Sequence, residues 1–191
     1  MDQMKTIYIL LSRTDTVAGR VIRLATACRY NHVSISLDAA RSEFYSFARR
    51  RMHNPLIGGF ISENVHTGIF GRYGDQPCAL YALSVSDAAY ARLTGIISAF
   101  FARYDAYRYN FLGIPLCFFG IPYPRRHHYT CSQFVAYMLQ QTGACTLPRD
   151  VSLMQPMDFL LISELRLVYT GPLGLVDSTA LHPVSAPISG S

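Results

Sequence analysis

The residues Tyr129-Thr130-Cys131-Ser132-Gln133-Phe134-Val135-Ala136-Tyr137-Met138-Leu139 read as the start of an amphipathic helix with a thiol in its first turn. Thr130 is the N-cap. Gln133, three residues on, completes a capping box ahead of the apolar stripe Phe134, Val135, Met138 and Leu139. Cys131 is then the first helical residue, where unpaired backbone N–H groups and the positive end of the helix dipole favour thiolate over thiol. The other four cysteines have no such setting. Cys28 falls on the apolar face of a predicted helix, Cys78 opens an apolar strand, Cys117 sits in an apolar run and Cys145 follows a helix stop.

Outward from this helix the chain alternates between strand and helix patterns. Thr6 to Ser12 reads as a buried strand, and Thr14 to Cys28 as a helix with Val17, Val21, Leu24, Ala25 and Cys28 at helical spacing. His32 to Leu37 alternates with period two, and a short turn leads to Glu43-Phe44-Tyr45-Ser46-Phe47, which together make a hairpin. Residues 48 to 77 hold five glycines, Gly58, Gly59, Gly68, Gly71 and Gly74, and read as a loop-rich excursion. Cys78 to Val85 is a further strand. Ser86 caps a long helix whose buried stripe is Leu93, Ile96, Ile97, Phe100, Phe101 and Tyr104. Gly143 ends the Cys131 helix, Pro156 opens another helix, and Glu164 to Tyr169 reads as the last strand. The expected organisation is one mixed α+β domain over residues 1–171, with 172–191 a mobile tail rich in Pro, Ser and Ala.

Composition narrows the class. The chain has 191 residues, 50% hydrophobic and 15% charged, enough to bury a full core. Five cysteines without CxxC pairs suggest neither a disulfide framework nor a structural zinc site, and no metal or other cofactor is expected. The segment Thr6-Ile7-Tyr8-Ile9-Leu10-Leu11 is too short for a signal-peptide core, so a cytoplasmic protein is expected. The longest apolar run, Phe111 to Ile121, is broken by Gly113, Pro115 and Gly120, which argues against a transmembrane helix. That run is core, or else a partly exposed rim for a lipidic acyl chain. The net charge of +5 is spread over short clusters, Arg49-Arg50-Arg51 and Arg125-Arg126. This pattern does not suit specific nucleic-acid binding, while peripheral contact with phospholipid head groups or an anionic substrate remains compatible.

A thiol nucleophile needs a base within hydrogen-bond reach and a third group that orients the base. His32 begins a strand on which it shares a face with Ser34 and Ser36, opposite Val33, Ile35 and Leu37, so its imidazole can meet a helix N-terminus at the sheet edge. The orienting group is expected on the next strand, where Ser46 lies on one face and Glu43 and Tyr45 on the other; the pattern does not choose between them. His127 and His128 precede Cys131 without the further ligands that a zinc site needs, and with Arg125 and Arg126 they read as a polar loop. His53 and His66 fall in the excursion, and His182 in the tail.

The strand Asn31-His32-Val33-Ser34-Ile35-Ser36-Leu37, the second strand with Tyr45-Ser46-Phe47 and the later Thr130-Cys131-Ser132-Gln133-Phe134-Val135 resemble the circularly permuted NlpC-type papain-like proteins. This group includes YiiX-like bacterial proteins and relatives of lecithin retinol acyltransferase. In it the histidine strand comes first, then the polar third residue, then the cysteine helix. The likeness spans about Ile7 to Phe159. It implies a papain-like (permuted NlpC-type) fold, with an antiparallel sheet packed against the helix that carries the nucleophile. It implies Cys131 as nucleophile, His32 as base and a third residue near Ser46, where relatives more often carry His or Glu. The implied activity is thiol-dependent hydrolysis of an amide or ester in a peptide, amide or lipid-like substrate through an acyl-enzyme. Acyl transfer to a lipid or amine acceptor, or an inactive binding domain that keeps the cleft, are the alternatives. The chain lacks the Gly-Asp pair common at the start of such domains.

Overall fold

The computed structural model describes residues 4–13, 29–51, 54–72 and 74–178. Its centre is one six-stranded antiparallel sheet. The strands are β1 (Met4–Ser12), β2 (His32–Ser36), β3 (Glu43–Arg51), β4 (Asn54–Asn64), β5 (Pro77–Ser86) and β8 (Arg166–Pro172), ordered β4-β3-β2-β1-β5-β8. A two-stranded parallel ladder, β6 (Arg108–Tyr109) with β7 (His128–Tyr129), stands beside it. The helices are α1 (Gly68–Arg72), α2 (Asp87–Ala102), α3 (Gly113–Phe118) and α4 (Cys131–Thr142). Among the described residues no helix is long and apolar enough to cross a membrane. The fold is thus α+β. The helix expected over Thr14 to Cys28 lies outside the described residues.

Strand alternation sorts the side chains onto two apolar faces. Ile7, Ile9 and Leu11 of β1, with Val33 and Ile35 of β2, face Leu93, Ile97 and Phe100 of α2 and Phe134, Val135 and Leu139 of α4. Tyr8, Leu10, Phe44 and Leu80 point the other way, toward Phe70 of α1 and toward Leu173 and Val176. A one-residue slip of any central strand would exchange these sets, so burial on both sides pins the register. Aromatic rings fill the first core: Phe47 lies 5.3 Å from Phe134, and Phe100 stacks on Tyr107 at 4.2 Å between ring centroids.

Three expectations need correction. The excursion after residue 48 is largely strand, because β3 continues to Arg51 and β4 pairs with it from Glu43↔Asn64 to Arg51↔Asn54. The glycines there serve close approach rather than a loop: a Cβ on Gly59 would lie 2.5 Å from the Tyr107 carbonyl oxygen, and one on Gly58 2.8 Å from Tyr109 Cβ. Phe101 of α2 and Tyr104, which lies beyond the helix end at Ala102, are exposed; Phe101 packs edge-on against Phe60 and Tyr45 at the margin of the core that holds Leu93, Ile97 and Phe100. Packing also continues beyond Gly171, with Leu173 and Val176 buried on the second face and the Asp177 carboxylate 2.7 Å from His66 Nε2. At the start of α4 every residue from Cys131 to Ala136 is buried, because the sheet, α2 and the segment after residue 150 enclose it.

Candidate active site

The N-terminus of α4 is built as its sequence suggests. Thr130 is extended, its Oγ1 accepts the Gln133 N–H at 3.2 Å, and Gln133 Oε1 accepts the Thr130 N–H at 3.0 Å. Gly143 ends the helix with φ 64°, a conformation glycine adopts without a Cβ penalty. Gln133 does more than close the box. Its Oε1 also accepts from Asn110 Nδ2 at 3.2 Å, and its Nε2 donates to the Ser152 carbonyl at 3.0 Å. One buried amide therefore joins the helix cap, the end of β6 and the turn Val151–Leu153. A partly satisfied buried amide would be costly, so this network fixes the spacing of the three segments around Cys131.

His32 and Cys131 meet at that point. The imidazole stands beside the Cys131 sulfur, close enough for each to shift the other's ionisation, and its Nε2 lies 2.9 Å from Glu63 Oε2. Both side chains of the His32–Glu63 pair are buried, and Cys131 is 5% exposed. Phe70 of α1 meets the imidazole edge-on at 6.0 Å and shields it from water. Burial by itself disfavours an imidazolium, but the Glu63 charge together with the hydrogen bonds to Cys131 and Glu63 outweighs it and raises the His32 pKa to about 10. Burial likewise disfavours a thiolate at Cys131, yet the His32 contact and the Val33 backbone N–H hold its pKa below the ordinary thiol range. The two shifts have one cause, the close approach of imidazole, sulfur and the Glu63 carboxylate, and both favour the charged forms. The remaining described cysteines behave oppositely. Burial pushes Cys78 to about 12 and Cys145 to about 11, and raises Cys117 as well.

Ser46 does not orient His32. Its hydroxyl donates to the Val33 carbonyl at 2.7 Å, which ties β3 to β2, and the ring's second nitrogen is occupied by Glu63 of β4 instead. Glu43 and Tyr45 are engaged with each other: the Tyr45 hydroxyl donates to Glu43 Oε2 at 2.9 Å, and Ser62 donates to Glu43 Oε1 at 2.6 Å. Glu63 went unnoticed because the segment reads as loop when its glycines are taken as turn formers. The usable signal was the alternation Phe60-Ile61-Ser62-Glu63, which sets a carboxylate on the face opposite the buried Phe60.

Tyr109 is the second residue that sequence reasoning missed. Its phenol lies against the Cys131 sulfur and backbone N–H, close enough for both to act on its ionisation. Burial, then the neighbouring sulfur charge, pushes the phenol pKa well above its usual value, so it stays a proton donor. The β6–β7 ladder holds it there, with the Asn110 N–H donating to the Tyr129 carbonyl at 3.0 Å. No periodicity marks a two-residue strand, so only the tertiary arrangement identifies Tyr109.

A narrow, mainly apolar cavity of about 40 Å³ opens beside Cys131. Ile114, Cys117 and Phe118 of α3 form one wall, and Met154, Gln155 and Pro156 the other. His128 hydrogen-bonds the Arg126 carbonyl through Nδ1 at 2.8 Å and takes no part in the cavity. Among the described residues, no group of three or more His, Cys, Asp or Glu side chains is placed to hold a metal ion. No protein-family model, curated protein or solved structure matches this chain.

Proposed function

We propose that the protein is a thiol-dependent acyl-transfer enzyme of the permuted NlpC-type papain-like kind, acting as a hydrolase on an amide or ester. The observation that carries this reading is the buried line Glu63–His32–Cys131 at a capped helix N-terminus. A structural role explains it poorly. Burying a carboxylate, an imidazolium and a thiolate costs several kcal/mol per ion before pairing, roughly, and a well-packed apolar trio would be at least as stable. A buried histidine and cysteine perturbed by each other, the cysteine lining a cavity, are the pattern of a reacting site.

In this reading the Cys131 thiolate attacks the carbonyl carbon, and the electron pair moves to the carbonyl oxygen. The Cys131 N–H and the Tyr109 phenol are the donors available to that oxyanion. His32, protonated in the resting state, gives its proton to the departing amine or alcohol as the carbon–heteroatom bond breaks, leaving a thioester on Cys131. Neutral His32 then takes a proton from water, the resulting attack releases the acid, and the thiolate is restored. Glu63 keeps the imidazole oriented and stabilises its charged form. An acceptor other than water entering the same step makes the reaction acyl transfer. The braced pair weighs against an inactive binding domain, for which a charged catalytic line has no use.

The test is intact-protein mass spectrometry after exposure to a panel of acyl donors, including p-nitrophenyl esters and thioesters. A mass increase equal to the acyl group, located on Cys131 and absent from Cys131→Ala, is expected. His32→Ala should reduce its rate of formation. Failure of every donor to modify Cys131, in protein whose thiol still alkylates, would favour the binding-domain reading.

A further inference from the structure

The walls of the Cys131 cavity run outward into apolar surface. Beyond Phe118, which lines the cavity, Phe119 is 79% exposed and Ile121 48%, and Leu112 on the near side of α3 is 56% exposed. The turn that begins at cavity residue Pro156 also ends in exposed Leu160 and Leu161, the latter 68% exposed. Single exposed apolar residues need no explanation, but a run of large ones continuing from a cavity-lining helix does.

Charge supplies the second observation. From Ala106 to Arg149 the sequence contains Arg108, Arg125, Arg126 and Arg149 and no Asp or Glu at all. Arg149 pairs with Asp158, whereas Arg125 and Arg126 are exposed on the loop that returns from Ile121 to β7. Arg125 lies over the Tyr123 ring at 5.9 Å, so an amphipathic aromatic between Ile121 and Arg125 in the chain is in contact with a guanidinium group. Exposed apolar side chains, then a tyrosine, then two exposed arginines along one stretch are the residue types a bilayer interface takes up at the levels of hydrocarbon, carbonyl and phosphate.

We propose that this rim, Leu112, Phe118, Phe119 and Ile121 with Arg125 and Arg126, docks the protein on an anionic bilayer surface and turns the Cys131 cavity toward it. The acyl group would then enter from the lipid phase, so the substrate is an amphiphile held at the interface; this last step rests on the acyl-transfer reading above. Apolar burial and phosphate attraction add, each basic residue near an anionic surface being worth about a fivefold gain in affinity.

The experiment is co-sedimentation of the full chain with phosphatidylglycerol vesicles and, separately, with phosphatidylcholine vesicles. Binding to the former and much weaker binding to the latter are expected. Phe119→Ser with Ile121→Ser should abolish it, and Arg125→Gln with Arg126→Gln should weaken it by on the order of tenfold or more. The chain has no tryptophan, so Phe119→Trp gives a single reporter whose emission should shift to the blue on adding phosphatidylglycerol vesicles. Absence of binding overturns the proposal, as does binding that survives the serine substitutions, or a rim whose only effect is dimerisation seen in the ultracentrifuge. Cys131→Ala must bind vesicles like the parent, and the serine variant free in solution must still alkylate Cys131 at the parent rate. Loss of docking and loss of the nucleophile are thereby told apart.

Discussion

Glu63 Oε2 lies 2.9 Å from His32 Nε2, although the two residues come from β4 and β2 with β3 between them. The third member of the Cys–His line thus comes from one strand farther out than the hairpin partner. It is a carboxylate rather than a hydroxyl. That difference matters energetically, because a serine oxygen can accept from an imidazole but cannot balance its charge.

Glu63→Gln and Ser46→Ala separate the two candidates. Glu63→Gln keeps the shape but withdraws the charge, so alkylation of Cys131 by iodoacetamide near pH 6.5 should fall at least tenfold and stability by about 2 kcal/mol. Ser46→Ala should cost about 1 kcal/mol in urea unfolding, the worth of its bond to Val33, and leave the alkylation rate unchanged. The reverse outcome would restore Ser46 to the site.

Thiol reactivity should single out Cys131. At pH 6.5 Cys145, half-exposed but with its pKa pushed to about 11, and Cys78, pushed to about 12, carry almost no thiolate. Peptide mapping after brief iodoacetamide treatment is expected to find the label on Cys131 first, and His32→Ala should slow it toward the rate of the others. Equal labelling of Cys131 and Cys145 would remove the ion pair.

The pH dependence of stability carries a definite sign. The folded pKa of His32, about 10, lies above its ordinary 6.5, so the stability it contributes is complete below pH 6.5 and is lost as pH rises through about 10. Cys131 works from the other side: its lowered value contributes stability above the ordinary thiol value of 9.0 that is lost as pH falls through the folded pKa. Relative to the double variant His32→Asn, Glu63→Gln, with Cys131→Ser in both proteins to isolate the His32–Glu63 pair, the advantage in unfolding free energy should shrink as pH rises above 6.5. An advantage independent of pH would contradict the buried imidazolium.

Tyr109→Phe tests the oxyanion contact. The ring's packing survives while the donor is lost, so acylation of Cys131 by a p-nitrophenyl ester should slow by roughly a hundredfold in kcat with KM little changed. A change in KM alone would make Tyr109 a wall of the cavity instead.

Gly59→Ala tests the close approach of the β6 segment to β4. The new Cβ would meet the Tyr107 carbonyl oxygen at 2.5 Å, backbone that cannot swing aside, so thermal and urea unfolding should report a loss of about 2 kcal/mol or more. The same substitution should also disturb Tyr109, two residues beyond Tyr107, and slow acylation.

Much of this was legible locally. The capping box at Thr130 and Gln133, the thiol in the first turn of α4, the His32 strand and the helix starting after Ser86 all follow from patterns within a few residues, where backbone hydrogen-bonding needs and side-chain periodicity act directly. Only the tertiary structure decided that Gly58 and Gly59 lie within a strand under the β6 segment, that Glu63 rather than Ser46 faces His32, and that the Tyr109 phenol meets Cys131. Each of those depends on which segments pack together across the sheet. A glycine reads as turn or close contact, and a carboxylate as solvated or braced, according to neighbours that lie far away in sequence.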